Sequence, residues 1–379
     1  MARDTTTKHE QLTQALQEMV SSLRPGDRFP SHLDLMRRFG VSDRTALRSL
    51  DELRRRGVIV RKNGVGTFVA EPEESAPPRR ETAATRTIAV LTLTTTPFFQ
   101  NSVRLLTDAC EAQGLSVVCH YGATDDSFGR SAEQGVRLLL PIRPLGFLLF
   151  NYQLLPLAQE LRRAGQRAVI IGEPPADVAP VVPCVYGDQE WGAYLAARHL
   201  LDLGHRRIGF IRSHSHGVPD NHPEHPFFQS RRWRGHLRAL GEAGLLPSGT
   251  SPLVLTPSEL AQWRERPEKA VAFFARPDAP TGLVAWNDLG ADELLRTLAR
   301  AGVRVPGQVS VIGYDALPLG ATTDPPLDTI DQQMEAQVHR ALDLLTYALP
   351  DDGSALPSFV TVPTLINRQS SAAPLSGRP

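Results

Sequence analysis

The chain has 379 residues, of which 41% are hydrophobic and 22% charged, a composition suited to two or three folded units with sizeable cores. No apolar run approaches the roughly 18 residues that a membrane span needs, and the opening "MARDTTTKHEQL" has no signal-like apolar core, which argues for the cytoplasm. The formal net charge of zero hides an asymmetry: residues 1 to 70 carry thirteen Lys or Arg against eight Asp or Glu, so a basic head precedes an acidic body and is expected to meet nucleic acid.

In chain order, residues 8 to 23 predict a first helix, with Leu12, Leu16, Met19, Val20 and Leu23 on its apolar side and "RPGD" as its closing turn. A second short helix follows in "SHLDLMRRFG", with Ser31 as its cap and Gly40 as its end. "VSDRTALRSLDELRRRG" predicts a third, capped by Ser42 and burying Ala46, Leu47, Leu50 and Leu53. Two helices joined by Gly-Val-Ser form a helix-turn-helix, and "VIVRKNGVGTFVA" alternates about a turn as a β-hairpin wing should. This series resembles the winged helix-turn-helix of GntR-type bacterial regulators.

That resemblance implies that the third helix enters the major groove of double-stranded DNA. Ser42, Asp43, Arg44, Thr45 and Arg48 on the helix, and Lys62, Asn63 and Gly66 on the wing, are the expected contacts. The chain departs from the family, which usually carries arginine where Leu33, Asp43 and Leu47 stand. Asp43 can serve the positive end of its helix, or accept from cytosine N4 and so restrict the operator that is read.

"EPEESAPPRRETAATR" (71 to 86) has no apolar period and reads as a linker. Behind it, "TIAVLTL", "LSVVCH", "GFLLFN", "RAVIIG", "RIGFIR", "GLVAW" and "VSVIGY" predict strands. They alternate with helical stretches such as "WGAYLAARHLLDLG" and "DLGADELLRTLARAG", so a parallel α/β arrangement is expected. Cys110, Cys119 and Cys184 have no metal-like spacing and read as small buried hydrophobes. Six ordered motifs, from "TIAVLTLTTTPFFQNSVRLL" to "VTVPTLINRQS", are similar to the effector domain of LacI/GalR-type repressors, which share the periplasmic-binding-protein-like fold.

The fold class that follows is α/β: an N-terminal winged helix-turn-helix (1–70), the linker (71–86) and a two-lobed domain with parallel sheets (87–372). Lobe 1 is expected to hold about 87–185 and 316–331, and lobe 2 about 186–314 and 332–370, with crossings near Val185 to Gly187, Tyr314 to Ala316 and Ile330 to Gln332. The resemblance implies an effector cleft at the carboxyl ends of the strands. Its expected residues are Arg232, Asn287 and Asp315 for ligand oxygens, Phe98, Phe99 and Trp286 for apolar contact, and Glu173 from the other lobe. Asp288 reads either as a further contact or as a helix cap. His214, His216, His222 and His225 lie in a Pro-rich loop without a convincing ligand set, so no metal and no cofactor is expected.

Together the two parts resemble the arabinose-responsive repressor type. They imply a dimeric repressor that a sugar-like effector releases from a palindromic operator, with no membrane partner. A corepressor-dependent repressor or activator sensing a nucleobase or sugar phosphate is the alternative. An enzyme acting on a sugar is a remote third, because no G-x-S-x-G, P-loop, G-x-G-x-x-G or zinc motif stands at a strand end.

Overall fold

The computed structural model describes residues 26–42, 86–92, 96–122, 128–174, 182–212, 230–246, 252–346 and 358–375, with separate positions between 12 and 69 and Phe228. The chain divides into two compact units, Met1–Ala84 and Thr85–Pro379.

In the first unit the helix His32–Phe39 begins at a reciprocal cap: the Ser31 amide donates to Asp34 Oδ2 at 3.1 Å and the Asp34 amide donates to Ser31 Oγ at 3.3 Å. It ends at Gly40, whose φ of 61° is the left-handed conformation that glycine adopts without strain. Ser42 starts the next helical segment, accepting from the Thr45 amide at 3.3 Å through its hydroxyl. Strands β1 (Arg28–Phe29), β2 (Ile59–Lys62) and β3 (Gly66–Val69) pair antiparallel in the order β1-β3-β2. Leu12, Leu16, Phe29, Leu35, Ala46, Leu53, Ile59 and Val69 make one buried core, so helices and hairpin are a single winged helix-turn-helix.

The second unit contains two six-stranded sheets. The first runs β14-β8-β7-β6-β4-β5 and is parallel throughout: β4 (Thr87–Thr92), β5 (Ser116–Tyr121), β6 (Gly146–Phe150), β7 (Ala168–Ile171), β8 (Cys184–Gly187) and β14 (Phe359–Thr361). The second runs β10-β9-β11-β12-β13-β15: β9 (Ile208–Ile211), β10 (Val254–Leu255), β11 (Gly282–Ala285), β12 (Ser310–Tyr314), β13 (Asp328–Asp331) and β15 (Thr364–Ile366). Only its last pairing, β13 with β15, is antiparallel.

Helices cover the faces. They are α1 (Pro97–Glu111), α2 (Phe128–Leu139), α3 (Leu155–Arg163), α4 (Gln189–Asp202), α5 (Arg231–Glu242), α6 (Pro257–Glu265), α7 (Pro267–Ala275), α8 (Asp288–Ala301) and α9 (Met334–Thr346). Strands such as β6 and β12 are buried at every residue, as parallel strands covered on both faces must be. Cys110 and Cys184 are buried, Cys119 is half-buried, and all three are free thiols.

The lobe boundaries differ from the sequence expectation. The chain crosses between Gly187 and α4, between β13 and α9, and between β14 and β15. β12 and β13 are neighbours in one sheet, so there is no crossing at Tyr314 to Ala316 and the 316–331 stretch belongs to lobe 2. Conversely, α9 places Met334, Val338, Leu342 and Leu345 in the lobe 1 core, so most of 332–361 belongs there. Each lobe is therefore assembled from two separate stretches of chain.

Candidate functional site

The carboxyl ends of the lobe 2 strands carry a tied cluster of polar side chains. Arg232 stands in the first turn of α5, behind the cap Ser230, whose hydroxyl accepts from the Trp233 amide at 3.2 Å. Trp233 is buried beneath it, and Gly235 lets α5 meet α4, since a Cβ there would collide with the Glu190 carbonyl oxygen. The helix is thus seated so that Arg232 points to the strand ends, with its guanidinium 3.8 Å from the Tyr314 ring centroid and 4.9 Å from that of Trp286.

Every nitrogen of that guanidinium is engaged. Nε donates to Gln189 Oε1 at 2.6 Å, Nη1 donates to the Trp286 carbonyl, and Nη2 pairs with Asp315 Oδ1 at 3.3 Å. Gln332 Nε2 donates to the same Asp315 oxygen at 2.5 Å, while Gln332 Oε1 accepts from Gln189 Nε2 at 2.5 Å. The side chains of Arg232 and Asp315 are 11% and 6% exposed, so they meet largely out of water. Burial pushes the Asp315 carboxyl up to about 6, against the opposing pull of Arg232 and Gln332. A desolvated pair of this kind binds little by itself but makes either partner costly to leave alone.

Asp315 is presented by a strained turn. Its φ is 107° and that of Ala316 is 50°, conformations that cost non-glycine residues about 1–3 kcal/mol each. Asp288 holds the turn: its Oδ2 accepts from the Leu317 amide at 2.7 Å and its Oδ1 from Thr329 Oγ1 at 2.6 Å. Burial raises Asp288 to about 7, and the nearby Asp315 charge adds to the rise. Asp288 is therefore neither the helix cap nor a surface contact; the cap of α8 is Asn287, whose Oδ1 accepts from the Gly290 amide at 2.9 Å. The Asn287 oxygen is committed to that cap, which leaves its amide nitrogen as the end able to meet a ligand.

Lobe 1 supplies a different set. Phe98 and Phe99 lie in the first turn of α1, edge to face at 5.2 Å, and Phe99 leans on Phe150 of β6 at 6.3 Å, so both are half-buried against the lobe 1 core. Glu173 follows β7 and reaches across to lobe 2, pairing with Arg231 at 2.9 Å. Burial outweighs the attraction of Arg231 and raises Glu173 to about 7. Of the expected effector residues, then, Arg232, Asp315 and Trp286 come together, Asn287 stands beside them in sequence as a cap, Glu173 pairs with Arg231, and Phe98 and Phe99 join the lobe 1 core. Arg231, Gln189 and Gln332 were not anticipated, although the stretches that carry them, "RRWRG", "YGDQEWG" and "TIDQQ", are motif-bearing.

In the head, Ser42 is exposed, and its hydroxyl lies 2.8 Å from that of half-buried Thr45, so both serve the helix start. The β2–β3 register sets Lys62 opposite Gly66. Asp43, Arg44, Arg48 and Asn63 lie outside the described residues, as do His214, His216, His222 and His225. Among the described residues no group of His, Cys, Asp and Glu could hold a metal ion, and no helix is long and apolar enough to cross a membrane.

Comparison with known proteins agrees at both ends of the chain. Residues 8–69 match the gntR family of bacterial regulatory proteins, and residues 197–371 match the periplasmic binding protein-like domain. The arabinose metabolism transcriptional repressor of Geobacillus stearothermophilus is 26% identical over 389 aligned residues, covering 98% of this chain and 99% of its own. The transcriptional repressor PurR of Photobacterium profundum is 28% identical over 76% of this chain and 81% of its own. Among solved structures, a LacI family transcriptional regulator from Enterococcus faecium with bound ribose shares the fold, with a TM-score of 0.59 and 23% identity over 76% of this chain and 99% of that one. The chain joins a head that matches the gntR family of bacterial regulatory proteins to a periplasmic binding protein-like body, the two parts of a ligand-responsive transcriptional repressor.

Proposed function

We propose that this repressor acts as a homodimer on a palindromic operator and is released when a sugar or sugar-like effector closes the two lobes. The observation that carries the reading is the Arg232–Asp315 pair, nearly dry at the strand ends, which offers the second N–H of each Nη and the other carboxylate oxygen to neighbouring hydroxyls. Trp286 and the paired Phe98 and Phe99 offer apolar surface for a ring face. The ribose-bound neighbour and the full-length similarity to an arabinose metabolism repressor support the sugar class. On the DNA side, Ser42, Asp43, Arg44, Thr45 and Arg48 face the major groove, and Lys62, Asn63 and Gly66 approach the backbone or minor groove.

Two half-sites one helical turn apart require heads roughly 34 Å apart, and a ligand that favours one lobe arrangement can move the dimer off that spacing. Thermal-shift screening of the full chain against pentoses, hexoses and their phosphates tests the ligand class. A cognate sugar at a hundred times its Kd should add about 2.7 kcal/mol of stability. Operator anisotropy then tests the sign: weaker binding with sugar supports release, stronger binding means a corepressor, and unchanged affinity with a tightly bound sugar overturns the mechanism.

A further inference from the structure

The three crossings between the lobes converge on one residue. The main-chain carbonyl of Gln332, in the second crossing, accepts from Gln337 Nε2 at 2.6 Å and from Thr361 Oγ1, in the third, at 2.9 Å. Gln337 Nε2 also donates to Thr361 Oγ1 at 3.1 Å, and the Thr361 carbonyl accepts from the amide of Asp188, in the first crossing, at 3.0 Å. Gly187 completes the junction, since a Cβ there would sit 3.1 Å from the Gln332 carbonyl oxygen. The side chain of the same residue joins the polar cluster at the lobe 2 strand ends, where its amide nitrogen meets Asp315 and its amide oxygen meets Gln189, the partner of Arg232. A further hydrogen bond between this cluster and a crossing, Gln189 Nε2 to the Gly187 carbonyl, is long at 3.4 Å.

We propose that Gln332 couples the polar cluster to the lobe crossings: its side chain senses how Asp315 and Arg232 are bonded, and its main chain passes that arrangement directly to Thr361 in the third crossing and, through the Thr361 carbonyl, to Asp188 in the first. The inference rests on the cleft being the effector site. An amide suits the task because it donates at one end and accepts at the other, so a ligand that draws on Asp315 alters one bond of Gln332 and, through the shared planar group, reorients the second. The outer oxygen of Asp315 has no partner among the described residues, which leaves a place for a ligand hydroxyl beside the bond that reports it. Gln332 itself is almost fully buried, so water cannot substitute for a bond it loses.

The test needs no ligand, so its failure is separable from failure of the sugar reading. Hydrogen exchange of the Asp188 amide, which bonds the first crossing to the third, would be measured in the full ligand-free chain. Gln332→Met, similar in length but without the amide, should speed that exchange roughly fivefold to tenfold, the loss of about one hydrogen bond. Amides inside the sheets, at Leu91 and Val284, should keep their rates. Asp315→Ala should also speed Asp188 in the native background and add nothing in the Gln332→Met background. If the two effects multiply, or if Leu91 and Val284 accelerate equally, Gln332 is only a packing residue. Should Asp315→Ala fail to fold, Asp315→Asn retains an oxygen acceptor and must give the same non-additive pattern at smaller amplitude.

Discussion

The two lobes have sheets of equal strand number, and the candidate residues they carry differ in chemistry. Lobe 2 contributes Arg232, Asp315, Gln189 and the Trp286 carbonyl, bonded to one another. The candidates from lobe 1 are two phenylalanines packed on its own core and one carboxylate, Glu173, whose partner Arg231 belongs to lobe 2. The contrast reflects directionality. Charged groups out of water must be aimed to within a fraction of an ångström, so lobe 2 carries the close helix contact at Gly235 and the strained turn at Asp315 that fix them. Apolar contact has no preferred direction and needs no such scaffold.

Four substitutions probe that division, beginning with the largest effect. Arg232→Leu strands the buried Asp315 charge and should lower unfolding stability in urea by about 3–5 kcal/mol, with loss of any sugar-induced thermal shift. A stability loss below about 1 kcal/mol, the level of an exposed pair, would show that lobe 2 does not hold a desolvated charge there. Gly235→Ala presses a methyl group into the backbone of α4 and should destabilise by about 1–3 kcal/mol, while weakening ligand binding through misaimed Arg232. Wild-type behaviour in both assays would remove the scaffold from the explanation.

Glu173 tests lobe 1 through pH. Its folded value is raised from 4.5 to about 7, so between these values the folded chain keeps a proton that the unfolded chain has released. Its contribution is therefore full below about 4.5 and is lost as pH rises through 7. Glu173→Gln should flatten the fall in stability between pH 5 and pH 8 by on the order of 1–3 kcal/mol, and an unchanged pH profile would mean the lobes do not bury this group. The smallest effect is expected inside lobe 2, where His236 is stacked on Trp233 at 5.5 Å with no partner for either ring nitrogen among the described residues. Burial lowers it from 6.5 to about 3, so stability drains as pH falls from 6.5 toward 3. His236→Phe should gain about 1 kcal/mol at pH 7, and its advantage should widen below pH 6.5; a parallel acid profile would refute the assignment.

What could be read from the sequence follows the same physics. Strands such as "GFLLF" and "SVIGY" are buried on both faces and announce themselves as apolar runs. β13, "DTID", does not, because its polar residues are satisfied by distant chain: Asp328 accepts from Ser371 Oγ and its amide donates to Ser370 Oγ. The crossing expected at Tyr314 to Ala316 is replaced by the pairing of this strand with β12, which keeps 316–331 in lobe 2. Arg232 and Asp315 stand out in the sequence because the motifs that carry them, "RRWRG" and "GYDA", resemble those of a known effector domain, whereas Gln332 and Gln189 are neutral and acquire meaning only where the crossings meet. Asn287 illustrates the reverse, a residue with a legible functional type whose oxygen is used by its own helix.

The interleaving of the lobes also sets a timetable. Lobe 1 has no β14 until residue 361 has been made, and lobe 2 lacks both β15 and the seryl residues that hold Asp328 until residue 371. The head has all three of its strands by Val69. At roughly 5–20 residues per second of synthesis, the head can be complete on the order of 15 to 60 seconds before either lobe can close its sheet. During translation the chain therefore passes through an interval in which it can carry a finished DNA-reading unit ahead of a finished ligand-responsive body.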